Sequence, residues 1–420
     1  MQCPAALVSA PASGQGKTLV ASAMARAWRD QGLNVIAFKC GPDFIDSMVL
    51  KAATGNPVYN LDLGMCGLAD GQAQLHHAAQ SADVIILEGV MGLYDGTPST
   101  ADIAKAFNIP VALVIDASGM AQTFAAITHG LYDFDPAIIK AGVVANKVGS
   151  AGHAKMLEAA LLTETPWLGA VARDEQFSLP ERHLGLHLAN EITDLDARIS
   201  EASKALTVNG DLALPPTVSF EAPAHNTTDQ LLAGKTIAIA RDAAFCFIYP
   251  ANIDCLEALG ATLIYFSLLN DNALPEADAY WIPGGYPELH LEIIQQNSEM
   301  RTSLAKAVAD NKPILAECGG MMALGETLNG SPTFGLLAGN SQIQTKLQGL
   351  GTQHLETDVG TIGAHTFHYG KFESSITPSH TAKGKYGAGE AIYQYKSITA
   401  SFLHFYFPSN HQLTAAFFTS

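Results

Sequence analysis

The chain has 420 residues, 48% of them apolar and 15% charged, with a formal net charge of −17 at pH 7. That length sets two domains of roughly 200 residues each as the expectation, and the acidic balance argues against a nucleic-acid surface, which needs a basic footprint. No apolar run reaches the ~18 residues of a membrane span, no basic segment precedes Ala5–Ala10, and the six cysteines show no C-x-x-C pairing, so neither membrane, secretion signal, disulfide framework nor zinc site is expected, and a cytoplasmic protein is.

In chain order, Ala5–Ser9 reads as a buried strand, followed by Ala10-Pro11-Ala12-Ser13-Gly14-Gln15-Gly16-Lys17-Thr18 and a helix from Leu19 to about Gln31. Strand, glycine loop, Gly-Lys-Thr and helix form the context of a P-loop. Its amides (Gly14, Gly16) cradle phosphates, Lys17 neutralises them, and the Thr18 hydroxyl can ligate Mg²⁺. Pro11 stands where the usual pattern has its first glycine; a glycine-rich turn on a nucleotide-free domain is the alternative. A second strand, Asn34–Lys39, runs into Cys40-Gly41-Pro42-Asp43-Phe44-Ile45-Asp46. Asp43 and Asp46 then lie at the carboxyl edge of a parallel sheet, as metal or substrate ligands or as turn formers. The aliphatic run Asp83–Leu87 ends at Glu88, the form of a Walker-B element holding Mg²⁺, and Asp95 follows on a glycine-rich loop, to orient a reacting carboxylate or simply to be solvated.

Further strands are expected at Val111–Ile115, Gly142–Ala145 and Leu168–Val171. Asn146 and Lys147 end the second of these, where an amide can meet a purine edge. Arg182 and His183 suit an anionic substrate or a capped helix start. Pro and polar clusters in residues 206–234 mark a linker between a domain of residues 1–205 and one of residues 235–420.

In the second half, strands are expected at Thr236–Ala240, Ala261–Phe266 and Ala279–Ile282, the last running into Pro283-Gly284-Gly285. A tight turn would explain these glycines; so would an oxyanion hole shared by Gly285 and Gly319. Pro313–Glu317 is a short apolar strand ending at an acid, and Cys318 follows on a turn with Gly319 and Gly320. This layout fits a buried core cysteine or a nucleophile elbow, where backbone amides and the helix dipole favour thiolate. Of the fourteen histidines, His404 sits in an apolar stretch late in the chain, as a core residue or as the base for Cys318. The expected class is α/β, with two doubly wound domains.

Taken together, APASGQGKT, KCGPDFID, EGVMGLYDG, PERHLGL, RDAAFCF, PGGYPELH, AECGGMM and ASFLHFYF resemble the cobyrinic acid a,c-diamide synthase family along nearly the whole chain. The resemblance implies a P-loop half similar to dethiobiotin synthetase and a class I glutamine amidotransferase-like, flavodoxin-like half. It implies ATP and Mg²⁺ as cofactors, with Mg²⁺ on Thr18, Glu88 and Asp43. A tetrapyrrole polycarboxylate and L-glutamine are the implied partners, with no membrane or nucleic acid and with a homodimer left open. Cys318 would attack glutamine, His404 would carry the proton, and ammonia would displace phosphate from an acyl phosphate formed near Asp43, Asp46 and Asp95. There are three departures from the family's usual pattern. Tyr406 stands where class I amidotransferases place the third triad residue; His365-Thr366-Phe367-His368-Tyr369-Gly370 lacks a glutamate and a serine; and Phe402 replaces a tyrosine. Nickel-sirohydrochlorin a,c-diamide synthase and cobyric acid synthase are the neighbouring alternatives, and a ParA-like ATP switch with a binding domain is the alternative from another class.

Overall fold

The parallel strands predicted in the first half are long enough in apolar residues to be buried on both faces, and in the computed structural model they are. The structure describes residues 1–174, 181–182, 185–186, 189–206, 210–223, 229–385 and 387–419, the side chains at 181–182, 185–186 and 190 excepted. The chain divides into two units, Met1–Leu63 with Gly67–Ala224 and Gly64–Cys66 with His225–Ser420.

The first unit is built on β1 (Gln2–Ser9), β2 (Val35–Cys40), β3 (Tyr59–Leu61), β4 (Val84–Glu88), β5 (Val111–Asp116), β6 (Lys140–Val148) and β7 (Trp167–Ala172), ordered β3-β2-β4-β1-β5-β6-β7 and all parallel. Alternation along β1 sends Ala5 and Leu7 into one core and Ala6 and Val8 into the other, as a sheet covered on both faces requires. The helix Lys17–Asp30 starts two residues earlier than expected, on the P-loop lysine itself. β8 (Glu181–Arg182) and β9 (Gly185–Leu186) pair antiparallel, so Arg182 lies in a strand rather than at a helix start; His183 lies outside the described residues. Within residues 206–234, β10 (Thr217–Ser219) pairs antiparallel with the start of β1, so this stretch of the expected linker is tied down by backbone hydrogen bonds.

In the second unit, β11 (Thr236–Ala240), β12 (Thr262–Phe266), β13 (Ala279–Ile282) and β14 (Ile314–Glu317) are parallel, in the order β12-β11-β13-β14. A small sheet holds β15 (Thr327–Leu328), β16 (Ser331–Pro332) and β17 (Asn340–Ile343). The main sheet then extends beyond the doubly wound expectation. β18 (Gly349–Thr357), β19 (Gly360–His368), β21 (His380–Gly384), β22 (Gly387–Tyr395), β23 (Ile398–Ser401) and β24 (His404–Phe405) continue it as β14-β23-β22-β21-β18-β19-β24, while β20 (Gly370–Glu373) joins the small sheet. Only β23 of these is parallel to its neighbour β14; the remainder are antiparallel. Among the described residues no helix is long and apolar enough to cross a membrane.

Candidate active sites

Register brings the first site together. Val8 and Lys39 are both Cα partners of Glu88, so β1, β2 and β4 deliver the P-loop, a lysine and a carboxylate to one sheet edge. The loop turns through Gly14 (φ 77°) and Gly16 (φ 86°), left-handed conformations that glycine adopts without strain. Lys17 is buried and reaches the Ala12 carbonyl at 3.3 Å; burial and then the charge of Lys39 lower its pKa. The Thr18 hydroxyl donates to Glu88 Oε1 at 2.6 Å.

Lys39, to which sequence reasoning gave no role, is the centre of this cluster. Its ammonium lies 3.0 Å from Asp46 Oδ2, 3.4 Å from Glu88 Oε1 and 3.1 Å from the Gly89 carbonyl, and is 2% exposed as a residue. Burial alone would lower its pKa, but Asp46, Glu88 and Asp43 outweigh it and hold the charge. Burial, followed by the neighbouring Asp46, raises Asp43; burial also raises Glu88, with Lys39 opposing both shifts. A lysine inside the apolar run Val-Ile-Ala-Phe-Lys-Cys was the signal available, since a buried charge needs partners.

The donor set fits Mg²⁺. Glu88 Oε2 is buried with no hydrogen-bond partner among the described residues, and the Thr18 hydroxyl is already against the same carboxylate. Asp43 has one oxygen on the amide of Asp46. No cluster of three His, Cys, Asp or Glu side chains poised for a metal occurs among the described residues, so a cation here would depend on phosphate and water for its remaining ligands. Asp95 is exposed, and its Oδ2 accepts the Gly92 amide at 3.1 Å, bracing its own loop. Lys147 pairs with Asp116 at 2.7 Å. Asn146, expected at a purine edge, is buried beneath the P-loop: its Nδ2 donates to the Gln15 carbonyl at 2.8 Å and its Oδ1 accepts the Lys147 amide at 2.9 Å. Each end of the amide has one partner in the protein backbone, which leaves one N–H free to donate.

The second site gathers at the carboxyl ends of β13 and β14. Cys318 stands between β14 and the helix Gly319–Leu324 with φ 45° and ψ −106°, a conformation that costs a non-glycine residue about 1–3 kcal/mol. Its amide donates to the Ser401 carbonyl at 2.7 Å. A Cβ on Gly319 would stand 2.8 Å from the Gly285 carbonyl oxygen and 2.9 Å from its nitrogen, so the two expected oxyanion residues touch. A Cβ on Gly284 would meet His404 Cε1 at 2.3 Å. Cys318, Gly285, Gly319 and His404 are thus assembled from β13, β14 and β24.

The expected activation of the thiol by the helix dipole is corrected. Burial pushes the Cys318 pKa well up, and Glu288 adds to it, against the Gly319 amide. The helix has only six residues, and the charges around the sulfur are carboxylates. The proton must therefore be taken by a neighbour. His404 is itself held neutral by burial and by His365 and His368. It stacks on His365 at 4.8 Å between centroids, and His365 Nδ1 lies 2.6 Å from the Tyr249 hydroxyl. Tyr406 is fully buried, edge-on to Tyr249.

Three of the departing residues, Phe402, Gly370 and Thr366, gather around His368 and its partner Glu390. Phe402 stacks on His368 at 3.8 Å, and a Cβ on Gly370 would come within 3.0 Å of the Phe402 ring and 2.7 Å of Met322 Sδ. Thr366 donates to Glu390 Oε1 at 3.0 Å, and His368 Nε2 lies 2.9 Å from the same oxygen. A carboxylate absent from position 366 therefore reaches this cluster from β22.

Comparison with known proteins matches a family model to each half of the chain. Residues 6–186 match the CobQ/CobB/MinD/ParA nucleotide binding domain, and residues 236–412 match the CobB/CobQ-like glutamine amidotransferase domain. The chain is 48% identical to a hydrogenobyrinate a,c-diamide synthase of Stutzerimonas stutzeri, over 99% of this chain and 98% of that one. The chain belongs to this family. A hydrogenobyrinate a,c-diamide synthase of Pseudomonas aeruginosa is 46% identical (99% and 97% covered), and a cobyrinate a,c-diamide synthase of Herminiimonas arsenicoxydans is also 46% identical (98% and 96%). Family membership places the P-loop in the nucleotide-binding domain and Cys318 in the amidotransferase domain.

Proposed function

We propose that the protein is an ATP- and glutamine-dependent ligase that converts the a and c carboxylates of cobyrinic or hydrogenobyrinic acid to amides, in the cytoplasm. The observation that carries this reading is one chain holding both a P-loop backed by Glu88 and Lys39 and a strained Cys318 elbow beside His404. The full-length identity to a,c-diamide synthases supports the substrate.

In the second unit, His404 takes the Cys318 proton as sulfur attacks the glutamine side-chain amide. The Gly285 and Gly319 backbones face the oxyanion, and the returned proton releases ammonia. Water then frees glutamate from the thioester. In the first unit, Lys17 and the amides at Gly14 and Gly16 hold the phosphates of ATP. A peripheral carboxylate of the macrocycle attacks the γ-phosphorus, giving an acyl phosphate and ADP, because a carboxylate itself resists ammonia. Ammonia adds to the acyl carbon and phosphate leaves. A second ATP and a second glutamine serve the second carboxylate. Thr18, Glu88 and Asp43 would hold Mg²⁺, which would spread the charge of the phosphoryl group. Lys39 offers a fixed positive charge at the same edge, and Asp46 and Asp95 would orient the reacting carboxylate.

Cys318→Ala tests the reading. It should abolish amidation with glutamine and retain amidation with ammonium salts, followed by mass spectrometry on a panel of tetrapyrrole acids. Unchanged glutamine-supported turnover would remove Cys318 from the reaction.

A further inference from the structure

Glu317 immediately precedes the nucleophile and is 1% exposed. Both of its oxygens are engaged: Oε1 accepts the backbone N–H of Phe405 at 2.9 Å, and Oε2 accepts the indole N–H of Trp281 at 3.0 Å. Each partner belongs to another part of the site. Phe405 follows His404 on β24. Trp281 lies on β13 and leads to Gly284, whose backbone walls the His404 ring. One carboxylate therefore links the strand ends carrying Cys318, His404 and the oxyanion glycines.

This link matters because the other bonds to this stretch, from Asn252 to the Phe405 carbonyl and from the Tyr406 amide to Gly363, run to elements other than the nucleophile strand. β24 is two residues long and its ladder runs to β19, through Ala364–Phe405 and His365–His404. The turn from β23 is braced by Ser401 Oγ, which accepts the Leu403 amide at 3.1 Å. The Phe405 amide is the point where β24 is fastened to the nucleophile strand. A buried carboxylate also costs more to keep than an apolar residue of similar size, and a role for Trp281 alone would require only one acceptor oxygen.

We infer that Glu317 is a positioning residue of the glutaminase: through the Phe405 N–H it fixes where His404 stands relative to Cys318. The task that a carboxylate hydrogen-bonded to the imidazole performs in a triad is thus carried out through the backbone, from the residue next to the nucleophile. The inference rests on the reading of Cys318 as the glutaminase nucleophile.

The test compares Glu317→Gln, Glu317→Gln with Trp281→Phe, Trp281→Phe and Cys318→Ala in the full chain, each with glutamine and with ammonium salts. A glutamine side chain has one acceptor oxygen for two N–H donors, so Glu317→Gln sets an amide NH₂ against one of them. Its kcat for glutamine should fall on the order of tenfold to a hundredfold, with KM changed less than about twofold and ammonium-supported turnover kept. The double variant removes the indole donor, lets the amide oxygen face Phe405, and should recover most of the lost kcat.

Wild-type kcat in Glu317→Gln overturns the inference, as does a double variant that folds but recovers nothing. If Glu317→Gln does not fold, the double variant alone decides by its kcat. If neither folds, Trp281→Phe decides: a smaller than about tenfold fall in kcat supports the Phe405 link, and a larger one assigns Glu317 to Trp281 and overturns it. Full glutamine-supported turnover in Cys318→Ala defeats the underlying reading instead, whatever the Glu317 variants do.

Discussion

The backbone of Gly284 is the wall against which the His404 imidazole rests: a Cβ there would stand 2.3 Å from Cε1. Real Cβ atoms do not approach so closely, so Gly284→Ala must displace the ring. The neighbours on its other sides, His365 at 4.8 Å and Phe247 at 6.1 Å between centroids, leave it little room to retreat. Glutamine-supported amidation should fall on the order of a hundredfold, the cost of a misplaced catalytic group, while ammonium-supported amidation persists. Steady-state rates with the two nitrogen donors check this, and equal losses with both would place the defect outside the glutaminase.

Lys39 makes a different prediction, about stability. Its ammonium is the cation between Asp46 and Glu88, and all three side chains are largely buried. Lys39→Met leaves those carboxylates facing one another, and removing one partner of a buried ion pair costs about 3–5 kcal/mol. Denaturant unfolding should show that loss above neutral pH, where Glu88 and Asp43 are ionised. It should shrink on mild acidification, because the raised Glu88 and Asp43 then take up protons and the repulsion ends. A loss independent of pH would mean that packing of the lysine stem, and not its charge, was removed.

The features legible in the sequence were the local ones. A P-loop, an acid-terminated strand and a Cys-Gly-Gly turn each occupy one continuous stretch, and strand, loop and helix follow from residue order. What was hidden depends on pairing between distant stretches. Lys39 became a site residue only through its register with Glu88, and Glu317 only through bonds to Trp281 and Phe405. The antiparallel extension was also invisible. β18 reads Gly-Leu-Gly-Thr-Gln-His-Leu-Glu-Thr, where glycine and polar residues dilute the alternation that marks a strand. The thiol was misjudged for the same reason: burial among carboxylates is set by the fold around Cys318, and the turn alone does not reveal it.

His365 carries a pH prediction. Burial lowers its pKa from 6.5 to about 3. The unfolded chain then binds a proton between those values that the folded chain refuses. Its contribution to stability is therefore full above pH ~6.5 and is lost as pH falls toward ~3, at about 1.4 kcal/mol per pH unit. For Glu317, burial pushes the pKa up while the bonds from the Phe405 amide and the Trp281 indole hold it down; a raised carboxyl has the opposite sign and loses stability as pH rises. Total stability mixes the two, so the informative quantity is the difference between wild type and His365→Gln. The variant's deficit should narrow by about 1.4 kcal/mol per unit as pH drops from 6.5 to 4.5. A constant deficit would mean that His365 is protonated in the folded protein.

Asn146 separates two roles for one amide. If it reads a purine edge, Asn146→Ala should cost ATP affinity and leave another purine triphosphate, GTP, less affected. The observed bonds predict otherwise. Nδ2 holds the Gln15 carbonyl, and a Cβ on Gly16 would come within 2.2 Å of that nitrogen, so the side chain sets the height of the P-loop above β6. Its loss removes one backbone anchor, worth about 0.5–1.5 kcal/mol, and loosens the phosphate cradle for any nucleotide. ATP and GTP should both bind about 3- to 10-fold more weakly, by a common factor. Gly16→Ala should be worse than Asn146→Ala, because φ 86° strains alanine as well. In an Asn146→Ala background the added methyl finds space, so combining the two should cost less than the product of the single losses. Titration of fluorescent ATP and GTP analogues against the variants measures each step. A loss confined to ATP would return Asn146 to the base.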